Sequence, residues 1–301
     1  MSKPPGYSIR LDTVCKGFDG RTCWVHARAG AIPGRVPVVV LTMQKLLLSG
    51  SDVFYALNEM RTDDLGEGWS GPHEHAQTLG RRQEAGGVVV CVCDFTPGWH
   101  AKTGVLLGTG HTARYRGDAL LEDPRPRETA YSIYDAAART WSAWETVRMP
   151  DAARFFSSGA GSTQRVDLHF EKPRPWTFDD GAEFGSYNTQ QHWVTHSGAL
   201  FLVYTRRGAD NDHVFRHRAP LFMAEVDADR LCVVRDSERI LVPQRGARLG
   251  NFGVVNVSRG ETWVTVTEWM QPVGCEKHGS DNSVYAARIL WDEPNEPAIS
   301  G

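Results

Sequence analysis

The chain has little that would staple it covalently or hold it in a bilayer. Six cysteines in 301 residues are too sparse for a disulfide scaffold. Cys91-Val-Cys93 puts two thiols on one face of a strand instead of in a CxxC spacing. The cysteines read as buried free thiols in a reducing compartment. No apolar run approaches the ~18 residues of a membrane span; Val36–Leu41 and Leu46–Leu48 are separated by polar Gln44 and Lys45. An excess of one charge is also missing, with 33 Lys and Arg against 36 Asp and Glu, so nothing draws the chain toward nucleic acid or anionic lipid in general. Met1-Ser-Lys-Pro-Pro-Gly6 has no apolar stretch behind Lys3, which gives a cytoplasmic expectation, or a secreted one if a leader has been removed.

Metal and nucleotide motifs are incomplete. His73-Glu74-His75-Ala76-Gln77 ends in Gln where HExxH needs a second histidine, and Gly159-Ala-Gly161-Ser-Thr163 lacks the Lys of a phosphate-binding loop. No metal and no cofactor are expected. Helical periodicity is absent too: nowhere do apolar residues keep a 3.6-residue period for three turns. What is present is a succession of short β-branched and aromatic segments punctuated by Gly, Pro, Asp and Asn: Tyr7–Val14, Arg21–Ala27, Val36–Thr42, Asp52–Met60, Gly87–Phe95, His111–Arg116, Ala130–Asp135, Gln164–Leu168, His192–Thr195, Ala199–Thr205, Leu221–Val226, Leu231–Leu241, Phe252–Val257, Thr262–Glu268 and Ser283–Trp291. The class is all-β, in one domain over residues 1–301, because all-β folds often exceed the ~100–200 residues usual per domain.

A weak repeat narrows the class. Arg61-Thr-Asp-Asp-Leu-Gly-Glu-Gly-Trp69, Tyr134-Asp135 through Arg139-Thr-Trp141, and Val257-Ser-Arg-Gly-Glu-Thr-Trp263 are each a strand, a polar turn and a Trp entering the next strand. They resemble the Asp-box, S-x-D-x-G-x-T-W, a hairpin turn whose Asp accepts backbone N–H bonds while its Trp packs between strands. With Tyr187-Asn-Thr-Gln-Gln-His-Trp193, Arg216-His-Arg-Ala-Pro-Leu221 and Glu268-Trp-Met-Gln271, these segments make the chain similar to the sialidase superfamily, in particular its bacterial BNR-repeat proteins. The resemblance implies a β-propeller of four-stranded antiparallel blades and a glycoside hydrolase acting on an oligosaccharide or polysaccharide. It also implies a shortened ring: relatives carry extra blade-like segments between the equivalents of Arg165-Val-Asp-Leu168 and His169-Phe-Glu-Lys172, which are joined directly here. About four to six blades are expected.

The family clamps a carboxylate with three arginines and uses an Asp acid/base and a Tyr nucleophile. Its first arginine stands in Arg-Ile-Pro, where this chain has Ala31-Ile-Pro33, with Arg28 three residues away. Sialic acid is therefore not the expected substrate, since a displaced guanidinium does not reproduce bidentate geometry. Asp52, after the Ser49-Gly-Ser51 turn, matches the acid/base position. Glu268 is the second carboxylate, and Tyr187 with His192 is the alternative base or nucleophile. His100 and His111 lie in glycine-rich surroundings, with Gln44 and Asn251 as further polar candidates for sugar binding. Alternation along Phe215–Leu221 would place Arg216 and Arg218 on one strand face, suited to an acidic sugar such as a uronate. A uronate lyase and a glycan-binding propeller without catalysis are the alternatives.

Overall fold

A computed structural model describes residues 4–50, 52–121, 125–151, 153, 175–185 and 189–296. Among these residues helix is confined to short 3-10 turns, and every strand pairing within the sheets is antiparallel. The protein is all-β, as its period-two patterning requires.

The N-terminal strand β1 (Tyr7–Cys15) is followed by a meander of β2 (Thr22–Ile32), β3 (Val38–Leu47), β4 (Phe54–Thr62) and β5 (Ser70–Glu74), paired in that order. The second sheet holds β6 (Arg82–Glu84), β7 (Val88–His100), β8 (Val105–Arg116), β9 (Ala119–Leu120), β10 (Thr129–Asp135), β11 (Thr140–Trp141) and β12 (Glu145–Thr146). The third runs through β13 (His192–His196), β14 (Ala199–Tyr204), β15 (Leu221–Asp227), β16 (Cys232–Val233) and β17 (Arg239–Val242). The fourth is β18 (Gly253–Ser258), β19 (Glu261–Thr267) and β20 (Val284–Trp291), completed by β1, whose Tyr7 lies opposite Trp291. The chain's beginning thus closes the sheet made by its end.

Neighbouring sheets meet face to face, and the core lies in the seams. Val40 and Leu57 of the first sheet pack with Val90, Val92, Phe95 and Trp141 of the second. Trp263, Val284 and Ala286 of the fourth pack with Val39, Leu41 and Met43 of the first, and the third and fourth sheets share Phe201, Met223, Val264 and Ile289. Trp141 and Trp263 are fully buried; at ~150–250 Å² each and ~25 cal/mol per Å², each contributes at most about 4–6 kcal/mol. One seam is also locked by polar contacts. Glu59 on β4 accepts hydrogen bonds from Trp141 Nε1 at 2.9 Å and the Tyr134 hydroxyl at 2.9 Å, and lies 3.0 Å from His75 Nε2.

The inward strands are β2, β7, β13 and β18: β2 packs against both β7 and β18, and β13 lies against β18. Buried on both faces, β2 is almost continuously apolar apart from Thr22, His26 and Arg28. Those exceptions lead to the site described below.

Several expectations need correction. Leu231–Leu241 is not one strand but β16 and β17 separated by a 3-10 turn at Arg235–Ser237. Phe215–His217 is likewise a 3-10 turn, so strand alternation does not place Arg216 and Arg218 together. In the turn after β4, Asp64 Oδ1 accepts from the Gly68 N–H at 2.9 Å and the Thr62 hydroxyl at 2.7 Å. Its Trp69 is only half-buried, 6.0 Å from the ring of Trp263. Gln164–Leu168 and the junction at 165–172 lie outside the described residues.

Candidate functional site

Left-handed backbone is sterically tolerable for Asp, Asn and His but costs energy, and it concentrates where a side chain must be aimed. Four such residues come together where the inner strands converge. His26 (φ 57°) interrupts β2 at a bulge between Val25 and Arg28, and Asp94 (φ 51°) interrupts β7 at a bulge between Cys93 and Thr96. Asn251 (φ 61°) precedes β18, and Asp52 (φ 53°) precedes β4. The two bulges bring His26 Nε2 to 3.6 Å from Asp94 Oδ1, and Asn251 Nδ2 lies 2.9 Å from the same histidine nitrogen. Burial drives the His26 pKa down against the pull of Asp94. The neutral ring then accepts from Asn251 through Nε2 and presents Nδ1–H to Gln44 Oε1 at 3.4 Å.

Arg28 anchors this cluster. Its guanidinium donates to the Asp94 carbonyl and Oδ1, each at 2.7 Å, to Thr96 Oγ1 at 2.9 Å and to Gln190 Oε1 at 3.2 Å. Burial alone would raise the Asp94 pKa, but the charge and hydrogen bond of Arg28 outweigh it and hold the group well below the ordinary carboxylate range. Asp94 therefore stays ionised. Arg28 and Gln44, expected to bind substrate, are used internally; Gln44 Nε2 also donates to the carbonyls of Tyr55 and Val92 at 3.0 and 3.2 Å.

A second group lies across the 246–253 loop. Arg218 and Arg248 are both buried, and among the described residues the Nε of each has no hydrogen-bond partner. Among the described residues the Arg218 side chain makes no hydrogen bond or ion pair, and Arg248 donates only to Gln271 Oε1 at 3.2 Å. Arg248 instead stacks 4.0 Å over the Trp269 ring. Burial, with repulsion from Arg216 added at Arg218 and from Arg218 added at Arg248, pushes both guanidinium pKa values down to about 10. The loop approaches closely: a Cβ at Gly250 would sit 3.1 Å from Arg218 Cδ, and one at Gly253 3.1 Å from Arg28 Cγ, so any larger residue would require these arginines to give way. Asp52 links the two groups electrostatically, acting on His26, Arg218 and Arg248. Its own carboxylate is 3.6 Å from Arg125 and 43% exposed. Beside Arg248 opens a cavity of about 300 Å³, walled in part by Trp269, Phe215, His213, Gln271 and Lys277.

The remaining candidates divide. His192 lies 3.2 Å from Gln190 Oε1 with its ring on Phe252, and burial lowers its pKa to about 4. His111 is buried 3.2 Å from Cys93 Sγ, its pKa also lowered to about 4 by burial. His100 is exposed at the β7–β8 hairpin tip, bound to Thr103 Oγ1 at 2.6 Å, away from the cluster. Arg216 is exposed beside Phe215. Glu268 is buried and held by its neighbours. Its carboxylate accepts the N–H groups of Asp281 and Ser283 at 2.9 and 3.2 Å and the Tyr285 hydroxyl at 3.2 Å, so it organises the approach to β20. Tyr187 lies outside the described residues.

His26, Asp94 and Arg248 were not singled out in the sequence. A signal existed for the first two: each is a polar residue inside a two-sidedly apolar strand, Trp24-Val-His-Ala27 and Val92-Cys-Asp-Phe95, where a single strand pattern gives no reason for it. Arg248 sits in a loop with no periodicity to break.

No family model matches the chain, and no curated protein does. Among solved structures, a protein of unknown function from Dyadobacter fermentans is 10% identical, with 94% of this chain and 99% of that one covered at a TM-score of 0.42. The catalytic domain of a Coprinopsis cinerea GH62 α-L-arabinofuranosidase is 9% identical over 95% and 97% of the two chains, TM-score 0.43. A Podospora anserina α-L-arabinofuranosidase is 10% identical over 97% and 98%, TM-score 0.39. Likenesses at this level carry no argument about chemistry, which rests on the residues themselves.

Proposed function

We propose that the chain is a propeller-type glycoside hydrolase acting on a glycan that carries an acidic sugar. The observation that carries this reading is the Arg218–Arg248 pair: two buried guanidinium groups that, among the described residues, form no ion pair with a carboxylate. A buried cation without a counter-ion is costly in the free protein and is repaid only by an anion brought from outside. Planar forks suit the two oxygens of a sugar carboxylate. The adjoining cavity, with Trp269 and Phe215 in its wall, offers apolar surface for sugar-ring faces.

Two carboxylates with unlike surroundings support the hydrolytic part. Asp94, fixed by Arg28, remains ionised and suits a charge-stabilising or basic role. Asp52, 43% exposed and 3.6 Å from Arg125, is the more accessible of the two and is assigned as the second carboxylate. The binding-only reading is favoured by one fact, the commitment of Glu268 to backbone hydrogen bonds, which removes the second carboxylate that the sequence had offered.

The test is a panel of uronate- and sialate-containing oligosaccharides given to wild type and Asp52→Asn. The expected result is reducing-end release by wild type that falls ~10²–10⁴-fold in Asp52→Asn, with stability changed by under ~0.5 kcal/mol. Saturable binding without turnover would replace hydrolysis with recognition. An unsaturated product absorbing in the ultraviolet would replace it with lysis, and absence of any binding to acidic sugars would overturn the reading.

A further inference from the structure

Beside the charged cluster, β7 and β8 bring together three groups of different chemistry. Cys93 and His111 are directly opposite in the antiparallel register, with Sγ 3.2 Å from Nε2. Asp94, the next residue along β7, would ordinarily point to the other face of the sheet. The bulge at Cys93/Thr96 and its left-handed backbone turn it back, so that one ligand atom from each of Cys93, Asp94 and His111 falls within 4.8 Å of the other two. Cys93 and His111 are buried, and Asp94 is the member that reaches solvent.

We propose that Cys93, Asp94 and His111 form a binding site for one divalent cation of the zinc class. Thiolate sulfur, imidazole nitrogen and carboxylate oxygen are the ligand types zinc takes, and three protein ligands with a fourth position left open is the pattern of a reactive site. Ligand bonds of ~2.0–2.3 Å in a tetrahedron separate the ligand atoms by roughly 3.5 Å. The Sγ–Nε2 pair is already near that spacing, and drawing in the third atom needs a shift of about an ångström. Asp94 Oδ1 is held by Arg28, while Oδ2 makes no hydrogen bond among the described residues, so one oxygen is fixed and the other is available.

Arg28 and Arg127 act on the cluster and oppose a cation; against them stand the Asp94 carboxylate, which Arg28 already shares, and the Cys93 thiolate formed on binding. Binding releases the thiol proton to solvent, since only the deprotonated sulfur ligates. The inference does not depend on the acidic-sugar reading, because metal uptake is measured without substrate.

The experiment treats the full chain with a chelator, removes the chelator, and titrates with zinc and, separately, with cobalt as a spectroscopic probe. Wild type is expected to take up about one equivalent and to show a sulfur-to-cobalt charge-transfer band in the near ultraviolet. Cys93→Ser should lose that band, whereas Cys275→Ser, on a different loop, should keep it. Losing even a ligand's hydrogen-bond partner costs metal sites ~10–100-fold in affinity, so Cys93→Ser and His111→Gln should each weaken zinc binding at least ~10-fold. If the serine variant does not fold, His111→Gln, which keeps the thiol, decides by the same affinity change. No uptake by wild type, a band that survives Cys93→Ser, or zinc affinity unchanged in His111→Gln would overturn the assignment.

Discussion

Replacing Arg218 by Met should make the protein more stable while removing its affinity for acidic ligands. Arg218 is only 6% exposed, and burial lowers its pKa from 12.5 to about 10. At 1.36 kcal/mol per pKa unit, keeping it charged costs the fold about 3 kcal/mol. Buried ionic groups replaced by apolar ones of similar volume are commonly neutral or stabilising by ~1–4 kcal/mol. Methionine keeps the flexible stem, and lost packing takes back part of the gain, so a net stabilisation of about 1–2 kcal/mol is expected. For a chain of this size that is a rise in Tm of roughly 2–3 °C. Charge-assisted hydrogen bonds of ~1.5–3 kcal/mol convert to a loss of about 10- to 150-fold in affinity. Urea denaturation measures the first quantity, and calorimetric titration with an acidic oligosaccharide the second. The ligand should raise the Tm of wild type and leave that of Arg218→Met unmoved. A variant destabilised by more than about 1 kcal/mol would show that the guanidinium serves the fold, and the reasoning from its missing partner would fail.

Glu59→Gln should destabilise by roughly 2–4 kcal/mol, because the carboxylate accepts from Trp141 and Tyr134 across a seam and an amide turns one acceptor into a competing donor; chemical denaturation followed by Trp fluorescence checks it. His192 has a pKa lowered to about 4 by burial, so its contribution is fully present above the ordinary value near 6.5 and is lost as pH falls from 6.5 toward 4, by up to about 3 kcal/mol. Denaturation curves through that window should show His192→Gln losing less stability on acidification than wild type. Glu268→Gln should lower stability without the selective fall in turnover expected of Asp52→Asn, a contrast read by running both assays on both variants.

The all-β class was legible in the chain because period two is a local property: a strand half-buried in a seam must alternate, whatever the rest of the molecule does. The turn after β4 was legible for the same reason, since Thr62, Asp64, Gly66 and Gly68 satisfy one another within a few residues. Locality also explains the failures. Phe215–Leu221 alternates like a strand, yet a tight turn and the burial of Arg218 under the 246–253 loop decided otherwise. Glu268 looked like a free carboxylate at a strand end, and only the approach of Asp281, Ser283 and Tyr285 committed it. His26 and Asp94 stand 68 residues apart in sequence, and nothing in either strand announces the other. Their meeting comes from two bulges on neighbouring inner strands at the same height. Backbone alternation is written residue by residue, whereas a site assembled from four sheets depends on where each sheet stops, twists and meets the next.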